Sequence, residues 1–137
     1  AHIEGAQYDF SFSGLKSAVL NYINGCKMKG ESFDPADIAA SFQKAVVEVL
    51  VENSMRAAED YGMYKFAIAG GVASNTALRA AMEKACKERE IRFCHPSPIY
   101  CTDNAAMIGA AAFYEYLAGT RHGWDLNAVP NLKLGER

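Results

Sequence analysis

Lys65-Phe66-Ala67-Ile68-Ala69-Gly70-Gly71-Val72-Ala73-Ser74-Asn75, continued to Lys87, is the stretch around which the chain is organised. Phe66 to Ala69 is an apolar run short enough for a buried strand. Gly70 and Gly71 follow, where a side chain would block close approach by a ligand or another backbone. Ser74 or Asn75 then caps a helix whose apolar positions Leu78, Met82, Ala85 and Cys86 share one face. A Gly-rich turn from strand into helix aims backbone N–H groups and a positive helix end at one spot, where phosphate or carboxylate binds well. Taken alone, Gly-Gly is more often an ordinary turn.

Downstream, Ile91-Arg92-Phe93-Cys94 reads as a second short strand. Strand, helix, strand at this spacing predicts a right-handed βαβ unit with parallel strands. His95-Pro96-Ser97-Pro98 is non-helical because each proline restricts the residue before it. His95 has no second ligand at helical spacing and is assigned to loop structure. Thr102 or Asp103 caps the next helix, which is small and apolar nearly all round as far as Tyr116-Leu117. Such a helix is expected to be buried and closely packed. Asp103 and Asn104 stand where a loop after a strand meets a helix, the place where α/β folds hold ligands. Gly119 ends this helix, and residues 121–137 read as an irregular tail docked through Trp124 and Leu126.

Upstream, Tyr8, Phe10 and Phe12 alternate with polar residues, the period of a strand. Ser13-Gly14 opens a helix with Leu15, Val19, Leu20 and Ile23 on its apolar side, and Asn24-Gly25 is expected to close it. Lys16 at its start is either a surface lysine, the better reading, or a neighbour of a bound anion. Residues 26–33 read as a loop. Asp34-Pro35 is a clear helix start, with Asp as cap and Pro at the first helical position. Ile38, Phe42, Val46, Val49 and Leu50 form its core stripe, which carries on to about Tyr61 before Gly62 stops it. Ser41 and Gln43 fall off the stripe, toward solvent rather than toward a ligand.

At 137 residues, half of them apolar, the chain fits one domain with a modest core. A net charge of −2 with no basic block excludes autonomous, charge-driven nucleic-acid binding, though not a nucleic-acid substrate held by a larger assembly. The four cysteines, Cys26, Cys86, Cys94 and Cys101, contain no Cys-x-x-Cys pair, so they read as reduced thiols in a cytosol, not as a disulfide framework or a zinc site. No run reaches the roughly 20 apolar residues of a membrane span. The sequence opens on Ala1, not Met, and is expected to be a fragment.

Three stretches together resemble one family. Asp9-Phe10-Ser11-Phe12-Ser13-Gly14-Leu15-Lys16 matches its first segment. Gly70-Gly71-Val72-Ala73-Ser74-Asn75 with Leu78-Arg79 resembles its Gly-Gly-Val-Ala-x-Asn…Leu-Arg signature. Cys101-Thr102-Asp103-Asn104-Ala105-Ala106-Met107-Ile108 resembles its Cys-Thr-Asp-Asn block. The family is TsaD, also called YgjD or Gcp. The resemblance implies an α/β fold: an actin-like, sugar-kinase-like (ASKHA) C-terminal lobe, helix-rich, with short parallel strands, of which residues 1–137 form a single partial domain. It implies cytoplasmic transfer of a threonylcarbamoyl group from threonylcarbamoyl-AMP to N6 of adenosine 37, in tRNAs reading codons that start with A. It implies TsaB and TsaE as partners, ATP or ADP as a further nucleotide ligand, and one iron or zinc ion. By motif match, Asn75 contacts the nucleotide part of the substrate, Gly70 and Gly71 line the same pocket, and Asp103 is a metal ligand.

The implied chemistry suits these residues. A mixed anhydride of carbamate and phosphate needs its phosphate held and its carbonyl polarised, tasks for a helix end and a metal. No Ser-His-Asp or Cys-His set is evident. The family's metal-binding His-x-x-x-His pair belongs to a preceding half, and His2, His95 and His122 include no such pair, so the metal site is expected to be incomplete here. Two other readings remain open: a metallopeptidase, after the older name O-sialoglycoprotein endopeptidase, and a non-catalytic nucleotide-binding or assembly module.

Overall fold

The longest helix starts where its sequence says it must. Asp34 accepts a hydrogen bond from the Ala36 N–H at 2.8 Å, and Pro35 takes the first helical position, where its missing N–H costs nothing. This helix, α2, runs Pro35–Asp60, and Gly62 follows it with a φ of 62°. A computed structural model describes residues 2–3 and 6–133 of the chain. The remaining elements of Ala1–Thr102, which form one compact unit, are β1 (His2–Ile3), β2 (Ala6–Phe10), α1 (Phe12–Lys29), β3 (Lys65–Ala67), α3 (Thr76–Glu88) and β4 (Arg92–Cys94). Short 3-10 turns occupy Gly71–Ser74 and Pro98–Tyr100.

The expected strand–helix–strand unit is present. β3 and β4 are parallel, with Phe66 opposite Phe93. α3 crosses between them and packs on α2. Leu78, Met82, Ala85 and Cys86 of α3 are buried, joined by Met55 and Ala58 of α2 and by Ile91. Phe66 and Phe93 close the sheet side of this core. Burial pushes the Cys86 thiol above its ordinary value, with Arg89 opposing weakly, so it stays protonated and inert. All four cysteines are free.

β1 and β2 pair antiparallel as a separate ribbon. The ribbon is tied to α2 by Asn53, which is buried and donates from Nδ2 to the carbonyls of Asp9 and Tyr8 at 2.9 and 3.3 Å. Its Oδ1 has no hydrogen-bond partner among the described residues. Asp60, at the end of α2, accepts from Gln7 and from the Tyr8 hydroxyl, each at 2.9 Å.

Three boundaries differ from the sequence reading. α1 begins at Phe12 and does not stop at Asn24-Gly25; it continues to Lys29, and Gly30 takes the left-handed position with φ 71°. Gly25 in a helix interior costs only about 1 kcal/mol, and one more turn buries Cys26. The Gly70-Gly71 turn does not feed directly into α3, because the 3-10 turn comes between. The third boundary is the start of the last helix.

Asp103–Arg137 forms a second compact unit. Its helix, α4, spans Ala105–Leu117, and its cap is Asn104, which accepts from Met107 N–H at 2.9 Å; neither Thr102 nor Asp103 takes that role. Nor is α4 buried: Ile108, Phe113, Tyr114, Tyr116 and Leu117 are all exposed. Among the described residues of this unit no other helix or strand exists to cover it. Trp124 and Leu126 are likewise exposed, not docked. Arg121 instead stacks on the Tyr116 ring, 3.8 Å from its centroid.

Met82 is 2% exposed at the centre of the α2–α3 core. Met82→Ala should lower the unfolding free energy by about 2–5 kcal/mol, and Lys84→Ala by less than about 0.5 kcal/mol. Denaturant unfolding followed by circular dichroism checks this. Equal effects of the two substitutions would contradict the core assignment.

Candidate functional site

Gly70 sits at φ 85°, ψ 174°, a conformation L side chains rarely adopt, so this position needs glycine for its backbone. Gly71 does not. A Cβ placed on it would meet only Thr102 Cγ2, at an ordinary 3.8 Å. Gly71 therefore faces Thr102 at contact distance, and the fold does not demand glycine there. The second and third sequence motifs meet at this point, within the first unit.

The turn after the glycines is held by its own hydrogen bonds. Ala73 N–H donates to Gly70 O, and Asn75 N–H to Val72 O, each at 3.0 Å. Ser74 Oγ donates to Gly71 O at 2.6 Å. The N–H groups of Gly71 and Val72 come ahead of the first of these backbone bonds, as at any helical start.

Asn75 caps α3, as the sequence allows, but its amide does more. Oδ1 accepts from Leu78 N–H at 2.9 Å, and Nδ2 donates to Gln43 Oε1 at 3.0 Å. Gln43 is exposed, as its place off the core stripe predicts, and this bond also joins α2 to the start of α3. This amide pair stands at the edge of a groove of about 410 Å³ lined by Phe42, Gln43, Val46, Val72, Asn75 and Leu78. Small-molecule sites run from about 300 to 1,000 Å³, mostly apolar with a few placed polar groups. The groove has that character.

In the sequence Arg79 stands out only as part of a motif, and in the structure it is the hub. Nε donates to Ala73 O, inside the 3-10 turn. Nη2 donates to Pro96 O at 2.9 Å and to Cys101 Sγ at 3.1 Å. Cys101 is buried and also points its thiol at Ser97 O, 3.6 Å away. No periodicity announces such a residue; an arginine on the half-buried side of a helix, beside a Gly-rich turn, is the only sequence signal.

His95 belongs to loop structure, its Nδ1 3.1 Å from Pro96 O. Lys16 is exposed. Asp103 is exposed too, the first residue of the second unit. Among the described residues no three His, Cys, Asp or Glu side chains gather around a position for one ion. A catalytic metal takes about three protein ligands and an open position. The described donors do not amount to such a site, and no chemical step through a metal follows from them.

The sequence profile of one family, "TsaD: tRNA N6-adenosine threonylcarbamoyltransferase", matches residues 1–110. The chain belongs to the TsaD family. Among relatives bearing the name tRNA N6-adenosine threonylcarbamoyltransferase, that of Clostridium novyi (strain NT) is 62% identical over 129 residues, covering 94% of this chain and 38% of the relative. That of Clostridium botulinum (strain Hall) is 56% identical over 137 residues, covering all of this chain and 40% of the relative. That of Clostridium kluyveri is 57% identical over 129 residues, with 94% and 38% covered. The chain thus spans about 40% of the length of the TsaD relatives it matches. No helix among the described residues is long and apolar enough to cross a membrane.

Asn75→Ala should cost about 1 kcal/mol through loss of the cap, whereas Asn75→Asp should be near neutral in stability. Aspartate also caps, and Gln43 can turn its amide to donate to it. Denaturant midpoints of the two variants test this. Equal losses would mean that the bond to Gln43, not the cap, carries the stability.

Proposed function

We propose that this chain is the C-terminal part of a tRNA N6-adenosine threonylcarbamoyl transferase and forms the nucleotide side of its pocket. The observation that carries the reading is the meeting of two motifs: Gly71 faces Thr102, and Arg79 bonds both the Gly71–Ser74 turn and Cys101. Membership of the TsaD family and the names of its relatives supply the substrate class.

In this reading the adenosine of threonylcarbamoyl-AMP lies in the groove against Gln43 and Asn75. The apolar walls at Phe42, Val46 and Val72 exclude water from its faces. The phosphate lies at Gly70-Gly71, where the absence of side chains leaves the backbone N–H groups approachable. The exocyclic N6 amine of a tRNA adenosine attacks the carbamoyl carbon, the C–O bond to phosphate breaks, AMP leaves, and N6 gives up one proton. This chain's part is to hold AMP as the leaving group. Its residues supply no nucleophile.

Asp103 would donate one carboxylate to an iron or zinc ion whose other ligands come from a preceding half bearing a His-x-x-x-His pair. Such a metal would polarise the carbamoyl oxygen. The two halves would complete an actin-like lobe pair, with TsaB and TsaE as partners, tRNA as substrate, and the cytoplasm as location. ATP or ADP would occupy the same groove as the adenylate.

The test uses the full-length protein carrying this sequence, together with its partner proteins. Threonylcarbamoyl-AMP and unmodified tRNA are supplied, and the product nucleosides are read by mass spectrometry. Threonylcarbamoyladenosine should form. Gly71→Val should fold, since a Cβ at 71 meets only Thr102 Cγ2 at an ordinary 3.8 Å, and should lose adenylate affinity by crowding the backbone N–H groups that receive the phosphate. Asn75→Asp should lose transfer by replacing the amide donor with a negative charge against the bound nucleotide. Peptide release from a glycoprotein with no modified nucleoside would overturn the reading in favour of a metallopeptidase. Nucleotide binding with neither activity would favour an assembly module.

A further inference from the structure

Arg79 is placed to do more than brace a loop. Its guanidinium is part-buried, and its partners are the carbonyls of Ala73 and Pro96 and the thiol of Cys101. These belong to three separate segments: the turn after the glycines, the loop after β4, and the stretch that leads in sequence to Asp103. Among the described residues no carboxylate forms an ion pair with Arg79, although Arg56 and Arg89 each have one. Arginine does not deprotonate in proteins. A full positive charge, neutralised by no acid among the described residues, therefore stands directly behind the Gly71–Ser74 turn.

We propose that Arg79 is the positioning residue of the pocket, fixing the glycine turn against the Cys101-Thr102 segment and supplying the countercharge for the adenylate phosphate. The proposal rests on the adenylate reading given above. Two roles are combined in one side chain, and they separate on substitution. The charge acts through space and survives in lysine. The fork does not: a lysine ammonium on a flexible stem cannot hold three acceptors that lie in the fixed directions of a guanidinium. Methionine keeps the apolar stem and loses both.

The experiment compares Arg79→Lys and Arg79→Met in the full-length protein with its partners. It measures AMP affinity by calorimetry, KM for threonylcarbamoyl-AMP, kcat for transfer to tRNA, and the rate of Cys101 alkylation. Arg79→Met should weaken AMP binding about tenfold, as expected for removal of one partly screened charge near the phosphate. It should also expose Cys101 to alkylation. Arg79→Lys should keep AMP affinity and KM within about threefold while kcat falls at least tenfold, a split that general loss of structure does not produce. The AMP deficit of Arg79→Met should shrink as salt is raised. If Arg79→Met does not fold, Arg79→Lys decides: wild-type KM and kcat in that variant overturn the proposal. In a folded Arg79→Met, wild-type AMP affinity overturns it as well. A wild-type protein that transfers normally while both variants match it sinks this inference and leaves the adenylate reading standing. A wild-type protein that binds AMP through Arg79 but transfers nothing sinks the transferase reading instead.

Discussion

One guanidinium constrains the whole of the candidate site. A cation withdrawn from water must be met by acceptors, or it costs several kcal/mol. Here the chain meets Arg79 with two backbone carbonyls and a sulfur, none of them charged. Hydrogen bonds from a charged donor contribute about 1.5–3 kcal/mol each. That is enough to tie a 3-10 turn, the loop after β4 and the Cys101 segment to one side chain. The Gly70–Asn75 turn is thus held both by its own hydrogen bonds and from behind, by Arg79 of α3. Glycine at 70 is needed for φ, whereas a Cβ at 71 would make only an ordinary contact with Thr102.

The rigid base for this arrangement is the contact of α2 with α3. Met55, Met82 and Cys86 fill its centre, each at most 2% exposed. Two amides extend that contact into polar territory. Asn53 fastens α2 to the β1–β2 ribbon, and Asn75 fastens the start of α3 to Gln43 on α2. In both, the amide Nδ2 donates across to another element. Each converts a helix surface into a defined neighbour for a loop or strand. A groove between α2 and the turn can then keep its shape without a ligand, which lowers the ordering cost of binding.

Much of the first unit could be read from residue order. The Asp34-Pro35 start, the Asn75 cap and the buried face Leu78, Met82, Ala85, Cys86 all follow from local rules, and the fold obeys them. The parallel pairing of β3 and β4 follows from the length of what joins them. Gly70, Gly71 and Asn75, proposed for the pocket from their motif, stand at either end of one 3-10 turn. Failures came where a local signal had a competitor. Asn24-Gly25 looks like a stop, yet Gly30 is the better left-handed terminator and one more turn buries Cys26. Thr102, Asp103 and Asn104 are all able to cap, and only the fold selects Asn104. The apolar character of α4 predicts burial, but burial needs a partner surface, and none exists among the described residues of its own unit. Gln43 and Arg79 escaped because their roles depend on what lies across from them in space, information that periodicity does not carry.

The central claim is that the glycine turn and the Gln43–Asn75 pair form the nucleotide pocket of a TsaD-family transferase. A crystal structure of the full-length protein with a non-hydrolysable analogue of threonylcarbamoyl-AMP tests it most directly. The account predicts the analogue's phosphate against Gly70-Gly71 and its adenosine in the groove, within hydrogen-bonding distance of Asn75 or Gln43. An analogue bound with no atom in contact with residues 70–75, and the Asn75–Gln43 bond left as it is here, would contradict it.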